Sequence, residues 1–114
     1  MKENDLKDRL FRFAINVLKM LGTLKGGKET EVINYQLSKS STSSGANYEE
    51  SQAGSSRADF INKVSISLKE MRESNYWLRI IEELLPKTTT ISSLVLESEE
   101  LGKILASIII KAKS

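Results

Sequence analysis

The chain has 114 residues, 39% of them hydrophobic, with 17 basic and 15 acidic side chains and a formal net charge of +2. That length suits one domain around a single core, and the balanced charge favours no class of partner. With neither cysteine nor histidine, there is no disulfide, no thiolate nucleophile, and neither the commonest general base nor the commonest transition-metal ligand.

The first element is a helix over residues 5–24. Leu6, Leu10, Phe13, Val17, Leu21 and Leu24 alternate at spacings of four and three, the seam of a bundle helix, and Phe11, Ala14 and Leu18 widen that stripe. Asn4 or Asp5 is placed to cap its start, and Gly22 with the Gly26-Gly27 pair to end it. Gly22, Gly27 and Lys28 have the spacing of a phosphate-binding loop. Glu29, however, stands where a magnesium-binding Ser or Thr belongs, and a helix precedes the glycines instead of a strand. A turn between helices accounts for them better.

Residues 29–53 are ambiguous. Val32, Ile33 and Leu37 begin a helical stripe, but Ser38 to Ser56 holds eight serines in nineteen residues. That composition suits a flexible linker. The alternative continues the seam through Ser40, Ser44, Asn47 and Ser51, small residues that let two helices approach closely.

The third helix spans 57–85. Ser56 and Asp59 resemble a capping box with Asp in place of the usual Glu or Gln, Phe60, Val64, Leu68, Met71, Leu78 and Leu85 make the inner stripe, and Pro86 stops it. Trp77, Ile80, Ile81 and Leu84 make its second half apolar on more than one face. Trp77, Ile80 and Leu84 are therefore expected to pack against another subunit of a homo-oligomer. The fourth helix covers 90–112, capped at Thr89 or Thr90, with Leu94, Leu101, Leu105 and Ile108 as its seam. Lys111 and Lys113 complement the dipole at its end.

Gln36-Leu37, Ser40, Ser43, Gly45-Ala46-Asn47 and Glu50 come first in a longer pattern. Asp59-Phe60-Ile61, Ser67-Leu68-Lys69-Glu70, Glu73 and Tyr76-Trp77-Leu78 follow. Together with Glu100-Leu101, Ile104-Leu105 and Ile108, they resemble the four-helix-bundle family encoded in 23S ribosomal RNA intervening sequences. The resemblance implies an all-α, up-down-up-down four-helix bundle in which the serine-rich stretch is helix 2. It also implies a cyclic pentamer and no established activity. One related protein, an accessory factor of diversity-generating retroelements, binds RNA and a reverse transcriptase. Tyr48-Glu49 and Ser44 depart from the pattern and make helix 2 more polar.

Catalysis finds little support. Glu97, Glu99 and Glu100, with Glu70 and Glu73, lack the histidines of a carboxylate-bridged metal centre. Ser65 and Lys69 lie one turn apart, but an exposed lysine keeps a pKa near about 10.4 and makes a poor base. Asn47, Glu50, Glu70 and Glu73 are expected to form a structural polar cluster inside the bundle, fixing register. No cofactor or metal is expected.

The positive signal is basic. Lys69, Arg72, Tyr76 and Arg79 share one face of helix 3, and Arg9, Arg12 and Lys19 form an outer row on helix 1. Cations with an aromatic among them suit RNA or DNA. A solvated face of a scaffold that binds another protein is the alternative. No segment reaches the roughly 20 apolar residues of a membrane span, and residues 1–8 lack a signal core, so a cytoplasmic protein is expected.

Overall fold

The computed structural model describes residues 3–54 and 56–114, with side chains from Asp5 onward. Four helices form among them, α1 (Glu3–Thr23), α2 (Lys28–Ser51), α3 (Arg57–Leu84) and α4 (Thr89–Lys113), with no strand. Each boundary falls within two residues of the sequence expectation. Connections 24–27, 52–56 and 85–88 are too short to run back along a helix, so neighbours are antiparallel. Contacts link α1 with α2, α2 with α3, α3 with α4, and α4 with α1, which is the up-down-up-down bundle. It measures 44 × 23 × 20 Å.

Local chemistry sets the helix ends. Helix α1 begins at Glu3, so the backbone of Asn4 and Asp5 lies inside its first turn. Gly22 is likewise inside α1, and the chain turns only at Gly26-Gly27. A Cβ on Gly26 would lie 1.9 Å from the Thr30 hydroxyl oxygen, and that hydroxyl donates to the Gly27 carbonyl at 2.7 Å. The glycine pair thus starts α2 instead of cradling a phosphate. At α3 the Ser56 hydroxyl accepts from the Asp59 amide at 3.1 Å, and Leu85 closes the helix before Pro86. The cap of α4 is Thr88, whose hydroxyl accepts from the Ile91 amide at 3.2 Å. That places it one residue ahead of the expected Thr89 or Thr90, because an N-cap side chain reaches the third helical amide.

The core takes Leu6, Leu10, Phe13, Val17 and Leu21 from α1, and Val64, Leu68, Met71, Leu78 and Ile81 from α3. Helix α4 adds Leu94, Leu101 and Leu105. Helix α2 brings Ile33, Leu37 and Tyr48, then serines: Ser40, Ser41, Ser44 and Ser51 are all buried. The seam therefore passes through Tyr48, where Asn47 was expected. Tyr48 is among the largest fully buried side chains of the protein.

Serines hold α2 to α3. The hydroxyls of Ser40 and Ser74 lie 2.8 Å apart. Ser44 donates to the Ser67 carbonyl at 2.8 Å, and Ser67 donates to the Ser44 carbonyl at 2.7 Å. Buried hydroxyls satisfied in this way carry no desolvation debt, and their small volume lets the helices approach closely. The linker reading fails for this reason.

The expected polar cluster does not assemble. The Asn47 amide donates within its own helix, to the Ser43 carbonyl at 2.9 Å and hydroxyl at 3.1 Å. Glu50 is exposed, while Glu70 and Glu73 are half-buried. Polar contact between α2 and α3 belongs to the serines.

Candidate nucleic-acid interface

Lys69, Arg72, Tyr76 and Arg79 are all exposed along α3. Helical spacing puts Arg72 and Arg79 beside α4, where they line an open groove of about 480 Å³ with Asn75, Ser98, Gly102 and Lys103. The floor is polar and fixed. The Asn75 amide donates to the Ser98 hydroxyl at 2.9 Å and ties α3 to α4. Arg79 Nε donates to Asn75 Oδ1, also at 2.9 Å. One edge of the guanidinium is thereby anchored, and its terminal nitrogens remain available.

Arg9 makes ion pairs with Glu97 and Glu100. Among the described residues, Lys69, Arg72, Arg79 and Lys103 have no carboxylate within 4.0 Å, the limit of a salt bridge, although Glu99 lines the same groove. The groove thus gathers three cations against one carboxylate, while Lys69 acts electrostatically on the neighbouring Glu70. Tyr76 is 50% exposed. Its ring stands edge-on to Trp77, with centroids 5.2 Å apart, and the Arg79 guanidinium carbon lies 5.7 Å from its centroid.

The outer row of α1 is split. Arg9 is committed to α4: its Nε and Nη2 donate to the two carboxylate oxygens of Glu97 at 3.1 and 2.6 Å, and Glu100 lies 3.4 Å away. The hydrogen bond to Glu97 holds its guanidinium pKa above the ordinary value. Arg12 and Lys19 stay exposed along the α1/α4 seam. The two basic rows thus face the two sides of α4, and the α1 row is neutralised in part.

Lys103 and Asn75 were not singled out in the sequence. Asn75 lies between Arg72 and Arg79 on the same face, a position that helical spacing could have flagged. Lys103 joins the group only through the register of α4 against α3, which one helix cannot reveal.

Of the expected subunit-contact residues, Trp77 and Ile80 pack against the bundle's own core, and Leu84 is exposed. A different apolar face is open between α1 and α2. Phe11 is 55% exposed and Tyr35 65%, with Leu18 and Val32 also exposed. Phe11 and Leu18 line a groove of about 290 Å³ whose floor includes Ala14, Gly45 and Ala46.

Burial raises the Glu70 pKa, and Glu73 beside it adds to the rise, while Lys69 and Lys39 oppose it. No three acidic side chains among the described residues could hold a metal ion. No helix among them is long and apolar enough to cross a membrane.

The 23S rRNA-intervening sequence protein family matches residues 2–107. A crystal structure from Bacteroides thetaiotaomicron, described as a protein of unknown function from the S23 ribosomal protein family, superposes with a TM-score of 0.81 at 37% identity. That match covers 91% of this chain and 97% of the other. No curated protein matches the chain.

Proposed function

Since the chain belongs to the 23S rRNA-intervening sequence protein family, whose solved relative is of unknown function, we propose from this protein's own surface that it is a non-enzymatic protein that binds nucleic acid. One observation carries the reading: Arg72 and Arg79 of α3 and Lys103 of α4 converge on an open groove whose one lining carboxylate, Glu99, makes no salt bridge with them. Phosphates fit such a site, because each neutralised cation releases condensed counterions. Lys69 extends the ridge, and Arg12 and Lys19 assist from the far side of α4. The chain has no His or Cys to act as base or nucleophile, so binding is the activity assigned here, in the cytoplasm.

Binding to a structured RNA across a salt series tests it. Affinity should fall steeply with salt, each phosphate contact contributing about −0.9 to the log–log slope on duplex DNA and a similar amount on RNA. Replacing Lys69, Arg72 and Arg79 together by Ala should flatten that slope and weaken binding alike for all sequences. Absence of binding at low salt, where screening is least, sinks the proposal.

The exposed Phe11, Leu18, Val32 and Tyr35 favour a second property. We assign this α1/α2 face, with Leu84 of α3, to self-association, in the cyclic pentamer that the sequence resemblance implies. If RNA does not bind, the same face supports a scaffold that docks another protein.

A further inference from the structure

Two hollows meet at Arg79. On one side lies the α3/α4 groove with Arg72, Asn75 and Lys103. On the other is a smaller hollow of about 260 Å³, lined by Tyr76, Ile80, Glu82 and Glu83. Their chemistry differs in a way that assigns them to different parts of one ligand. The first sets three cations, Arg72, Arg79 and Lys103, against one carboxylate, Glu99, and suits phosphate. The second holds two carboxylates, which repel phosphate, beside an aromatic ring that suits an uncharged planar group.

Tyr76 is held for such a role. Trp77 packs beside it at 5.2 Å with the rings 73° apart, Arg79 lies over the ring at 5.7 Å, and half of the residue stays exposed. Arg79 is fixed through Asn75 to Ser98 of α4, so its guanidinium keeps its place near the ring. Phosphate and base surfaces thus share one anchored arginine.

A duplex hides the faces of its bases in the stack and offers only phosphate to such a surface. A single strand offers both, and stacking of an unpaired base on an aromatic ring is insensitive to sequence. We propose that this surface takes single-stranded nucleic acid, with its backbone along Arg72, Arg79 and Lys103 and a base on Tyr76. This rests on the nucleic-acid reading above and narrows it.

The test compares three labelled probes in fluorescence anisotropy at low salt: single-stranded RNA, single-stranded DNA of the same sequence, and the blunt DNA duplex. Both single strands should bind more tightly than the duplex, and a preference between them identifies the sugar. Tyr76→Ala should weaken single-strand binding by about 5- to 100-fold and leave duplex binding unchanged, while Tyr76→Phe should retain wild-type affinity. Because Tyr76 is half-exposed, the bundle should survive its loss, and unchanged helical circular dichroism and melting confirm that. Equal affinity for duplex and single strands, or full single-strand affinity in Tyr76→Ala, overturns the single-strand assignment and leaves nucleic-acid binding standing. Failure of all three probes to bind overturns both.

Discussion

At the scale of single residues, the informative side chains are charged groups held away from their usual surroundings. Glu70 sits half-buried near Glu73, and its carboxyl is pushed up first by desolvation and then by that like charge. The folded state therefore holds this proton more tightly than the unfolded chain does, and the sign of the consequence is fixed. Its contribution favours folding at acid pH, declines as pH rises past the unfolded glutamate value of about 4.3, and remains a penalty above the raised folded value. Glu70→Gln removes the titration. The variant should be more stable than wild type at pH 7, and the gain should shrink toward pH 4. Urea denaturation of both proteins at several pH values measures this, and a gain independent of pH would show that Glu70 is not the titrating group. Arg9 illustrates the converse case. Its bidentate pairing with Glu97 uses up a cation that the sequence had offered to a phosphate surface. Spacing along α1 identified the row but not the acidic partner facing it from α4.

At the scale of helices, the α2/α3 contact shows what periodicity can and cannot convey. The bounds of α3 were legible because Ser56, Asp59 and Pro86 act locally. Those of α2 were not, because serine composition reads the same in a linker and in a tightly packed helix. What makes the stretch a helix is a partner: Ser67 and Ser74 stand opposite Ser44 and Ser40 on α3. A single residue, a step of about 100° round the helix, separates a seam through Asn47 from one through Tyr48, and polar neighbours left nothing in the sequence to choose between them. The packing decides how α2 responds to substitution. Ser67→Ala removes two buried hydrogen bonds, the one donated to the Ser44 carbonyl and the 3.2 Å hydroxyl pairing with Ser44, and should cost about 0.5–1.5 kcal/mol for each. Ser44→Leu keeps the helix but forces apart two backbones in close contact. Overpacking of that kind costs typically about 1–3 kcal/mol, and loss of the hydroxyl pairing adds to it. Tyr48→Ala empties a fully buried site and should cost about 3–5 kcal/mol, the range for large aromatic truncations. Equilibrium unfolding in urea ranks the three. A flexible linker would tolerate all of them with changes within about 0.5 kcal/mol, as at surface positions.

At the scale of the whole molecule, the bundle leaves two unlike surfaces: the basic ridge over the α3/α4 groove, and the apolar face of α1 and α2. The fold was legible because bundle spacing recurs in α1, α3 and α4 and side-chain caps mark α3 and α4, while α2 was read as a helix through the family resemblance. The site was legible only on α3, since Lys103 and Asn75 acquire meaning once two helices are set in register. Self-association was expected from Trp77, Ile80 and Leu84, of which Trp77 and Ile80 are partly buried against the core and Leu84 is exposed. The proposed self-association draws on Phe11, Leu18, Val32 and Tyr35, which are exposed on two adjacent antiparallel helices. Fully burying a side chain of the Val, Leu or Phe size gains about 1.5–3 kcal/mol, so a few of them per subunit suffice to drive assembly at micromolar concentration. Sedimentation equilibrium should therefore give a mass that is a multiple of the 12.8 kDa chain, five-fold for the proposed ring. Phe11→Asp with Leu18→Asp places two desolvation-costly carboxylates on that face and leaves the core of α1 untouched, so it should yield a folded monomer. A wild-type mass of one chain at micromolar concentration rejects self-association. An oligomer that persists unchanged in the double variant moves the interface off the α1/α2 face, toward Leu84 on α3.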